Sequence, residues 1–394
     1  MVFLNADIIS SMRVAIDSGS KSSVLPTGVG VVTAMQIKAL GAEARKIKNF
    51  QVDVFDFSEN SEKLLDGKYD VVHYPYFHPF FVTLPPSILL RVSQGKFPRT
   101  VVTIHDVIPL IYPKYYPPGI KGKMRFLEQK RRLKDIDGVI TVSETSKKDI
   151  VRFLNLPAAK IHAIYNAPLP FFRKEDDRNK LNEVARKYKL PNKFVLYLGD
   201  VYYSKNIPNL VRACKIAGLP LVIVGKQAKD IENNLDTNLE KLKGPQDWMR
   251  FLLGKPHPEQ AHYRMVNELF DKVGVLRLGY IPDADLVSIY NLATVYCQPS
   301  LYEGFGLGVV HAFACGAPTV ISKTQALVEI ADKAALIADP RDPKDIALKI
   351  RMLFEDFSQR VELINRGFER VKNFSWEKNA KETIKVYKNL VISV

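Results

Sequence analysis

The residues with the clearest chemical potential stand in a glycine-rich stretch that reads YEGFGLGVVHAFACG over 302–316. It follows a predicted strand and begins a predicted helix, so the backbone at Gly306 can approach a ligand closely. The first amides of a helix have no partners within the helix and favour an anion. His311 lies one turn, about 5 Å, beyond Leu307 on the same helix face. With Glu303 ahead of the glycines, the set is suited to a phosphate ester that carries hydroxyl groups.

A structural interpretation of the same stretch is equally open. Gly304, Gly306 and Gly308 would then form a tight turn, and His311 would pack in a core. Three spaced glycines alone do not decide between the two interpretations.

Further polar candidates follow predicted strands in the first half of the chain. His105 and Asp106 stand at the carboxyl end of one strand, where α/β sheets present ligand-binding groups. His73 and Tyr76 belong to an aromatic run after another strand, which is either a core corner or a wall for a sugar or lipid acceptor. A helix that opens with glycines at 28 and 30 is a weak dinucleotide fingerprint, because its third glycine is absent.

The elements that must position these residues alternate between short apolar runs and longer amphipathic stretches. This alternation predicts an α/β fold with parallel sheets. We expect six strands in the first half and five in the second, with the domain boundary in the polar, proline-punctuated stretch 168–192. Residues 374–394 are predicted to form an amphipathic helix.

Composition limits the class of protein. The 394 residues are 46% hydrophobic with a formal net charge of +15, which excludes a disordered chain and predicts two domains. Three widely spaced cysteines indicate neither a disulfide framework nor a zinc site, so a reducing, cytoplasmic location is expected. No apolar run reaches the ~18 residues of a membrane-spanning helix. The positive balance suits an anionic substrate, an acidic membrane or nucleic acid.

An ordered set of short motifs resembles retaining glycosyltransferases of family four, in the mannosyltransferase-like branch. The motifs are TGVG at 27–30, TIHD at 103–106, TVSE at 141–144, YLG at 197–199 followed by KN at 205–206, GYIP at 279–282 and EGFGL at 303–307. The resemblance implies the GT-B fold, in which two Rossmann-like domains face each other across a cleft. It implies an N-terminal acceptor-side domain at 1–170, a C-terminal donor-binding domain at 171–373, and a helix at 374–394 that packs back towards the first domain.

The resemblance also implies the roles of the site residues. His105, Lys205 and Glu303 are expected to be catalytic, with His105 and Glu303 positioning the transferred sugar and Lys205 binding the diphosphate. The donor would further contact Gly28, Gly30, Gly199, Tyr280, Gly304, Phe305, Gly306, Leu307 and His311. Asp106, His73 and Tyr76 would stand on the acceptor side.

Two positions depart from the family pattern. The second Glu of a Glu-x7-Glu motif, which binds the nucleotide ribose in such families, is His311 here; a neutral imidazole cannot chelate two hydroxyls as a carboxylate can. Asp200 follows Gly199 where some relatives carry Arg. Because an Asp facing a diphosphate would repel it, we expect Asp200 to point away or to cap the following helix.

The resemblance thus implies a metal-independent hexosyltransferase of polysaccharide biosynthesis that needs no cofactor beyond its nucleotide diphosphate sugar. The sugar would be mannose, and the acceptor a glycan or a lipid-linked glycan. The alternative is a weakly catalytic nucleotide-sugar-binding protein with a degenerate donor site. A basic helix around 121–134 is either a solvated face or a peripheral contact with an anionic membrane. No compact motif for specific nucleic-acid recognition is present.

Overall fold

The computed structural model describes residues 11–19, 28–66, 68–84, 98–231, 248–249 and 257–392. The chain divides into two compact units. The first unit comprises Met1–Val107, Ile120–Asn166 and Ser375–Val394, and the second comprises Ile108–Gly119 and Ala167–Phe374. The range predicted for the first domain therefore contains one segment, Ile108–Gly119, that packs with the second unit.

The first unit is built on a sheet of six parallel strands. In chain order they are β1 (Met12–Asp17), β2 (Phe50–Phe55), β3 (Val71–Tyr74), β4 (Arg99–Ile104), β5 (Gly138–Thr141) and β6 (Ile161–Ala163). They lie in the order β2-β1-β3-β4-β5-β6. Every residue of β3 and β5 is buried, as expected for parallel strands covered on both faces.

The second unit has its own sheet of six parallel strands. They are β7 (Val195–Leu198), β8 (Leu221–Val224), β9 (Leu276–Gly279), β10 (Val295–Gln298), β11 (Thr319–Ser322) and β12 (Leu336–Ala338). Their order is β12-β11-β10-β7-β8-β9, so the strand order reverses between β7 and β10. Two parallel sheets are therefore confirmed, whereas the prediction of five strands in the second half is wrong because β12 was missed.

Helices connect the strands. Those that the structure describes are, in chain order, α1 (Gly28–Ala44), α2 (Ser61–Asp66), α3 (Ile108–Ile111), α4 (Gly119–Lys134), α5 (Glu144–Asp149), α6 (Arg178–Lys187), α7 (Ile207–Ala217), α8 (Lys226–Asp230), α9 (Pro258–Val273), α10 (Asp283–Leu292), α11 (Leu307–Cys315), α12 (Gln325–Ala331), α13 (Pro343–Glu355), α14 (Phe357–Val371) and α15 (Trp376–Ile392). Among the residues described, none of the helices combines the length and the apolar character needed to cross a membrane.

The last helix, α15, packs within the first unit against α1 and against β4 and β5. Ile384 and Tyr387 on its inner face are buried in the same apolar cluster as Val14 and Ile140 of the sheet. The long connection between β8 and β9 contains α8 and α9, and most of the residues between these two helices lie outside the described part of the chain.

Candidate active site

An ion pair between Lys205 and Glu303 stands at the point where the strand order of the second sheet reverses. Lys205 lies in the turn after β7, and Glu303 lies in the loop after β10. The Nζ atom of Lys205 is 2.8 Å from both carboxylate oxygens of Glu303. In open parallel sheets, ligands bind outside the carboxyl ends of the strands at such a reversal. The geometry thus brings these two predicted site residues together where a ligand site is expected.

Two neighbouring side chains fix the Glu303 carboxylate. Gln298 Nε2 donates to Glu303 Oε1 at 2.8 Å, and Ser300 Oγ donates to the same oxygen at 2.7 Å. Gln298 is held in turn by the hydroxyl of Tyr296. The side chain of Glu303 is 9% exposed and that of Lys205 is 23% exposed. The sequence analysis assigned no role to Gln298. Its position as a polar residue at the carboxyl end of a strand was a signal that could have identified it.

Asn206 fastens the turn that carries Lys205. Its backbone is left-handed, with φ 59°, and its Nδ2 donates to the carbonyl oxygens of Pro299 at 2.9 Å and Pro340 at 2.6 Å. Asn is one of the few residues that adopt this conformation at modest cost. The loops after β7 and β10 are therefore joined through one buried side chain.

The predicted helix start next to Glu303 is also observed. α11 begins at Leu307, and its N-cap is Gly306 with φ 103°, a conformation that favours glycine. Within the described chain, no side chain caps this helix, so its first amides suit an anion. A Cβ at Gly308 would overlap the hydroxyl of Tyr296. Phe305 is buried against Phe374, with ring centroids 5.8 Å apart.

The imidazole of His311 packs in the core beneath this turn. It stacks on Phe172 with ring centroids 3.8 Å apart, and its Nε2 accepts the backbone N–H of Leu169 at 3.2 Å. Burial lowers the pKa of His311 to about 3, so the ring is neutral at physiological pH. A ribose contact through His311 stays a prediction, and this packing does not support it.

Asp200, which follows Gly199 in the loop after β7, is held through its backbone. The carbonyl of Asp200 accepts the hydroxyl of Tyr197 at 2.8 Å. Burial raises the pKa of the Asp200 carboxyl, and nearby Lys205 opposes that shift. The next two helical segments begin without a side-chain cap in the described structure, so the alternative that Asp200 caps the following helix is wrong. The other alternative, that its carboxylate points away from the diphosphate, stays a prediction. Tyr280 is 77% exposed.

In the first unit, the predicted site residues Tyr76, His105 and Asp106 lie just after β3 and β4. His105 is buried and hydrogen-bonds the backbone of Pro75, and burial lowers its pKa to about 4. Its Nε2 has no hydrogen-bond partner among the described residues. The carboxylate of Asp106 lies near Tyr76 and helps burial to raise the pKa of that phenol to about 12. Pro75 has no backbone N–H, so its carbonyl accepts the one ring proton of the neutral imidazole, and the unused Nε2 can accept a ligand hydroxyl.

His73 has a structural role instead. It is fully buried, and its two ring nitrogens hydrogen-bond Tyr387 at 2.6 Å and Thr103 at 2.8 Å. These bonds connect α15 to the sheet, so an acceptor contact through His73 has no support from its geometry. Gly28 and Gly30 open α1 as predicted.

Among the residues that the structure describes, no group of three or more His, Cys, Asp or Glu side chains is placed to hold a metal ion.

Comparisons with known proteins connect this geometry to a family. The family model of glycosyl transferases group 1 matches residues 177–370, and that of Glycosyltransferase Family 4 matches residues 35–167. The O-antigen chain mannosyltransferase B of Escherichia coli is 30% identical over 304 residues, which cover 75% of this chain and 71% of that protein. The chain is a family 4 glycosyltransferase.

Other relatives place this glycosyltransferase in the mannosyltransferase-like branch. The serotype-specific mannosyltransferase WbdA of Escherichia coli is 24% identical over 81% of this chain, but the match covers only 37% of WbdA.

The solved structure of sucrose-phosphate synthase from Thermosynechococcus elongatus aligns with a TM-score of 0.68 and 21% identity over 98% of this chain and all of that one. Anabaena HepE, solved with UDP and glucose, aligns with a TM-score of 0.68 and 14% identity over 96% of this chain and all of that one. The glycosyltransferase thus has the GT-B fold with two Rossmann-like domains.

Proposed function

We propose that this glycosyltransferase moves mannose from a guanosine diphosphate donor to a glycan or lipid-linked glycan, with retention of the anomeric configuration. The observation that carries the proposal is the Lys205–Glu303 pair beside the start of α11, at the reversal of strand order. Mannose is proposed because the relatives named above include mannosyltransferases.

The donor diphosphate is proposed to bind between Lys205 and the amides at the start of α11. The ammonium group and the helix amides both favour negative charge, and charge grows on the diphosphate as the bond to the sugar breaks. Groups already oriented towards that charge stabilise the transition state without reorganising. We propose no metal for this step, because the cation and the amides supply the positive charge themselves.

Glu303 is proposed to position the sugar. Its Oε1 already accepts from Gln298 and Ser300, whereas Oε2 is bonded to Lys205 alone among the described hydrogen bonds. A carboxylate oxygen has two acceptor sites, so Oε2 can accept a donor-sugar hydroxyl. His105 is proposed to contact the transferred sugar, as the family resemblance implies.

Bond cleavage is proposed to run ahead of bond formation. The C–O bond from the sugar to the diphosphate breaks, and the acceptor hydroxyl attacks the oxocarbenium-like sugar on the face that the diphosphate leaves. A diphosphate oxygen takes the hydroxyl proton. No nucleophile from the protein is needed, and holding both substrates in position supplies much of the acceleration.

A donor screen tests the proposal. The protein is heated with GDP-, UDP- and dTDP-sugars, and the best ligand is then incubated with mannose oligosaccharides, with and without EDTA. We expect the largest rise in melting temperature with GDP-mannose, and transfer that EDTA does not change. Binding without diphosphate release over hours would instead support the weakly catalytic alternative. Loss of transfer in EDTA would show that a metal is required.

The exposed side of α4 has a composition that favours contact with a membrane. Ile120, Met124 and Leu127 lie at helical spacing on α4, and their side chains are 56%, 67% and 61% exposed. Exposed lysines at 121 and 123 lie to either side of this apolar stripe. An apolar stripe bordered by cations is typical of helices that lie in the headgroup region of an anionic membrane. We propose that the enzyme works at such a surface, where a lipid-linked acceptor would be presented.

Liposome cosedimentation tests the membrane proposal. The wild type is expected to sediment with vesicles that contain phosphatidylglycerol at low salt, and less at high salt, because each lysine near the surface contributes about 1 kcal/mol. The variant Met124→Ser/Leu127→Ser should bind several-fold less. Leu348→Ser, which removes a 53% exposed leucine from α13, is the matched control. Equal recovery with phosphatidylglycerol and with neutral lipid would refute the proposal.

A further inference from the structure

A short tyrosine-rich segment, Ile108–Gly119, contacts both loops that carry the proposed donor site. We call it the tyrosine segment. It begins two residues after Asp106 and ends where α4 begins, yet it packs as part of the second unit. The mechanism above uses none of its residues.

The hydroxyls of Tyr116 and Tyr112 form hydrogen bonds with residues beside the ion pair. The hydroxyl of Tyr116 accepts the backbone N–H of Ser204 at 3.3 Å and donates to Ser204 Oγ at 3.1 Å. The hydroxyl of Tyr112 donates to the carbonyl of Leu301 at 3.2 Å. Ser204 is 2% exposed, and a buried polar group that loses its partner is costly.

The two loops are also bonded to each other at this place. The backbone N–H of Leu301 donates to the carbonyl of Ser204 at 2.7 Å. Ser204 directly precedes Lys205, and Leu301 stands two residues before Glu303. The tyrosine hydroxyls therefore hold the backbone next to both members of the ion pair.

Aromatic rings of the tyrosine segment also pack against Tyr203 in the turn that carries Lys205. The ring of Tyr115 stacks on that of Tyr203, with centroids 3.3 Å apart and planes within 8°. The ring of Tyr112 meets Tyr203 at an angle of 69°, with centroids 5.6 Å apart. Tyr203 opens the three-residue turn that ends at Lys205.

We propose that Tyr112 and Tyr116 are positioning residues for the donor diphosphate and act through the turns that carry Lys205 and Glu303. The inference rests on the proposed function of that pair. A lysine has a flexible four-carbon stem, so the position of its ammonium group depends on how firmly its backbone is held. A displacement of about 1 Å can cost about 10²-fold in rate.

The test compares Tyr116→Phe with the wild type. The variant keeps the ring and removes only the hydroxyl that Ser204 uses. We expect the Kd for GDP, and for inorganic pyrophosphate, to rise about five- to tenfold by isothermal titration, with kcat/KM for the donor falling at least as much. A purely structural contact would reduce the fraction of active protein and lower kcat, but it would leave both Kd values unchanged.

The matched control is Tyr188→Phe, which removes a hydroxyl that donates to Asp285 at 2.7 Å elsewhere in the second unit; its Kd values should stay at those of the wild type. Ser204→Ala removes the bond to Oγ but keeps the bond from the backbone N–H, and it replaces Tyr116→Phe if that variant does not fold. The Kd values of the double variant should lie within about twofold of those of Tyr116→Phe, because the two side chains share one bond.

Two outcomes separate the inference from the proposed function. If Lys205→Ala weakens pyrophosphate binding but Tyr116→Phe and Ser204→Ala do not, the positioning role is refuted and the donor site stands. If Lys205→Ala itself leaves pyrophosphate binding unchanged, the donor site is wrong and the positioning role fails with it.

Discussion

Lys205→Ala is expected to lower kcat/KM for the nucleotide sugar by about 10²- to 10³-fold. The variant removes the side-chain cation proposed to meet the charge that grows on the departing diphosphate, and loss of one such group costs about 2.7–4 kcal/mol of transition-state stabilisation. Pyrophosphate binding should weaken as well, because the lysine would contact the diphosphate before and during the reaction. Release of nucleoside diphosphate under steady-state conditions measures the first effect, and isothermal titration measures the second.

Lys323→Ala is the matched control for this variant. Lys323 also pairs with a carboxylate in the second unit, with its Nζ 2.6 Å from Asp339, but its side chain is 60% exposed. Exposed pairs contribute about 0–1 kcal/mol, so activity should remain close to that of the wild type. A Lys205→Ala protein with the kinetics of this control would show that the diphosphate binds elsewhere.

Glu303→Gln should separate binding from turnover. The amide keeps the size of the side chain but loses the negative charge that holds Lys205, so the lysine becomes more available to a phosphate group. We expect GDP to bind as tightly as before or more tightly. We expect kcat to fall about 10²-fold, because the amide is a weaker acceptor for a sugar hydroxyl and its NH₂ group is brought close to the donors Gln298 and Lys205.

The control here is Glu175→Gln, since Glu175 is likewise bonded to a lysine, Lys180 at 2.5 Å, and belongs to neither of the loops that carry Lys205 and Glu303. Its kcat and its Kd for GDP should both stay within about twofold of the wild type. If Glu303→Gln lost GDP binding and turnover together, the carboxylate would be maintaining the shape of the turn rather than positioning the sugar.

The sheets were predictable from sequence for a physical reason. Parallel strands that are covered on both faces read as short apolar runs, and the runs at Met12–Asp17, Leu221–Val224 and Thr319–Ser322 match the observed strands. Strand β12 was not predicted because it has only three residues at the edge of the sheet, and Ile337 in its centre is 40% exposed.

The face of α11 could not be predicted in the same way. Helical spacing placed His311 on the face of Leu307, yet periodicity identifies a buried face only when the opposite face is polar. Val309, Val310, His311, Ala312 and Phe313 are all buried, because α10 and α14 also pack against this helix. The sequence therefore located the helix and its first turn, but not the surroundings of the imidazole.

Sequence patterns could not predict the long-range contacts of the tyrosine segment. Tyr116 meets Ser204 across 88 positions, and Tyr112 meets Leu301 across 189. The run of tyrosines and prolines at 112–118 has neither helical nor strand periodicity, so nothing local indicated where these hydroxyls would bond.

The chain enters and leaves its two units at 107/108, 119/120, 166/167 and 374/375. A recombinant fragment begun at Ala167 would therefore lack Tyr112 and Tyr116, even though it spans every strand of the second sheet. Chimeras that exchange the sugar-nucleotide half between related enzymes would have to transplant Ile108–Gly119 together with Ala167–Phe374. A junction at 166/167 alone would separate Lys205 from Tyr112 and Tyr116 of its own chain.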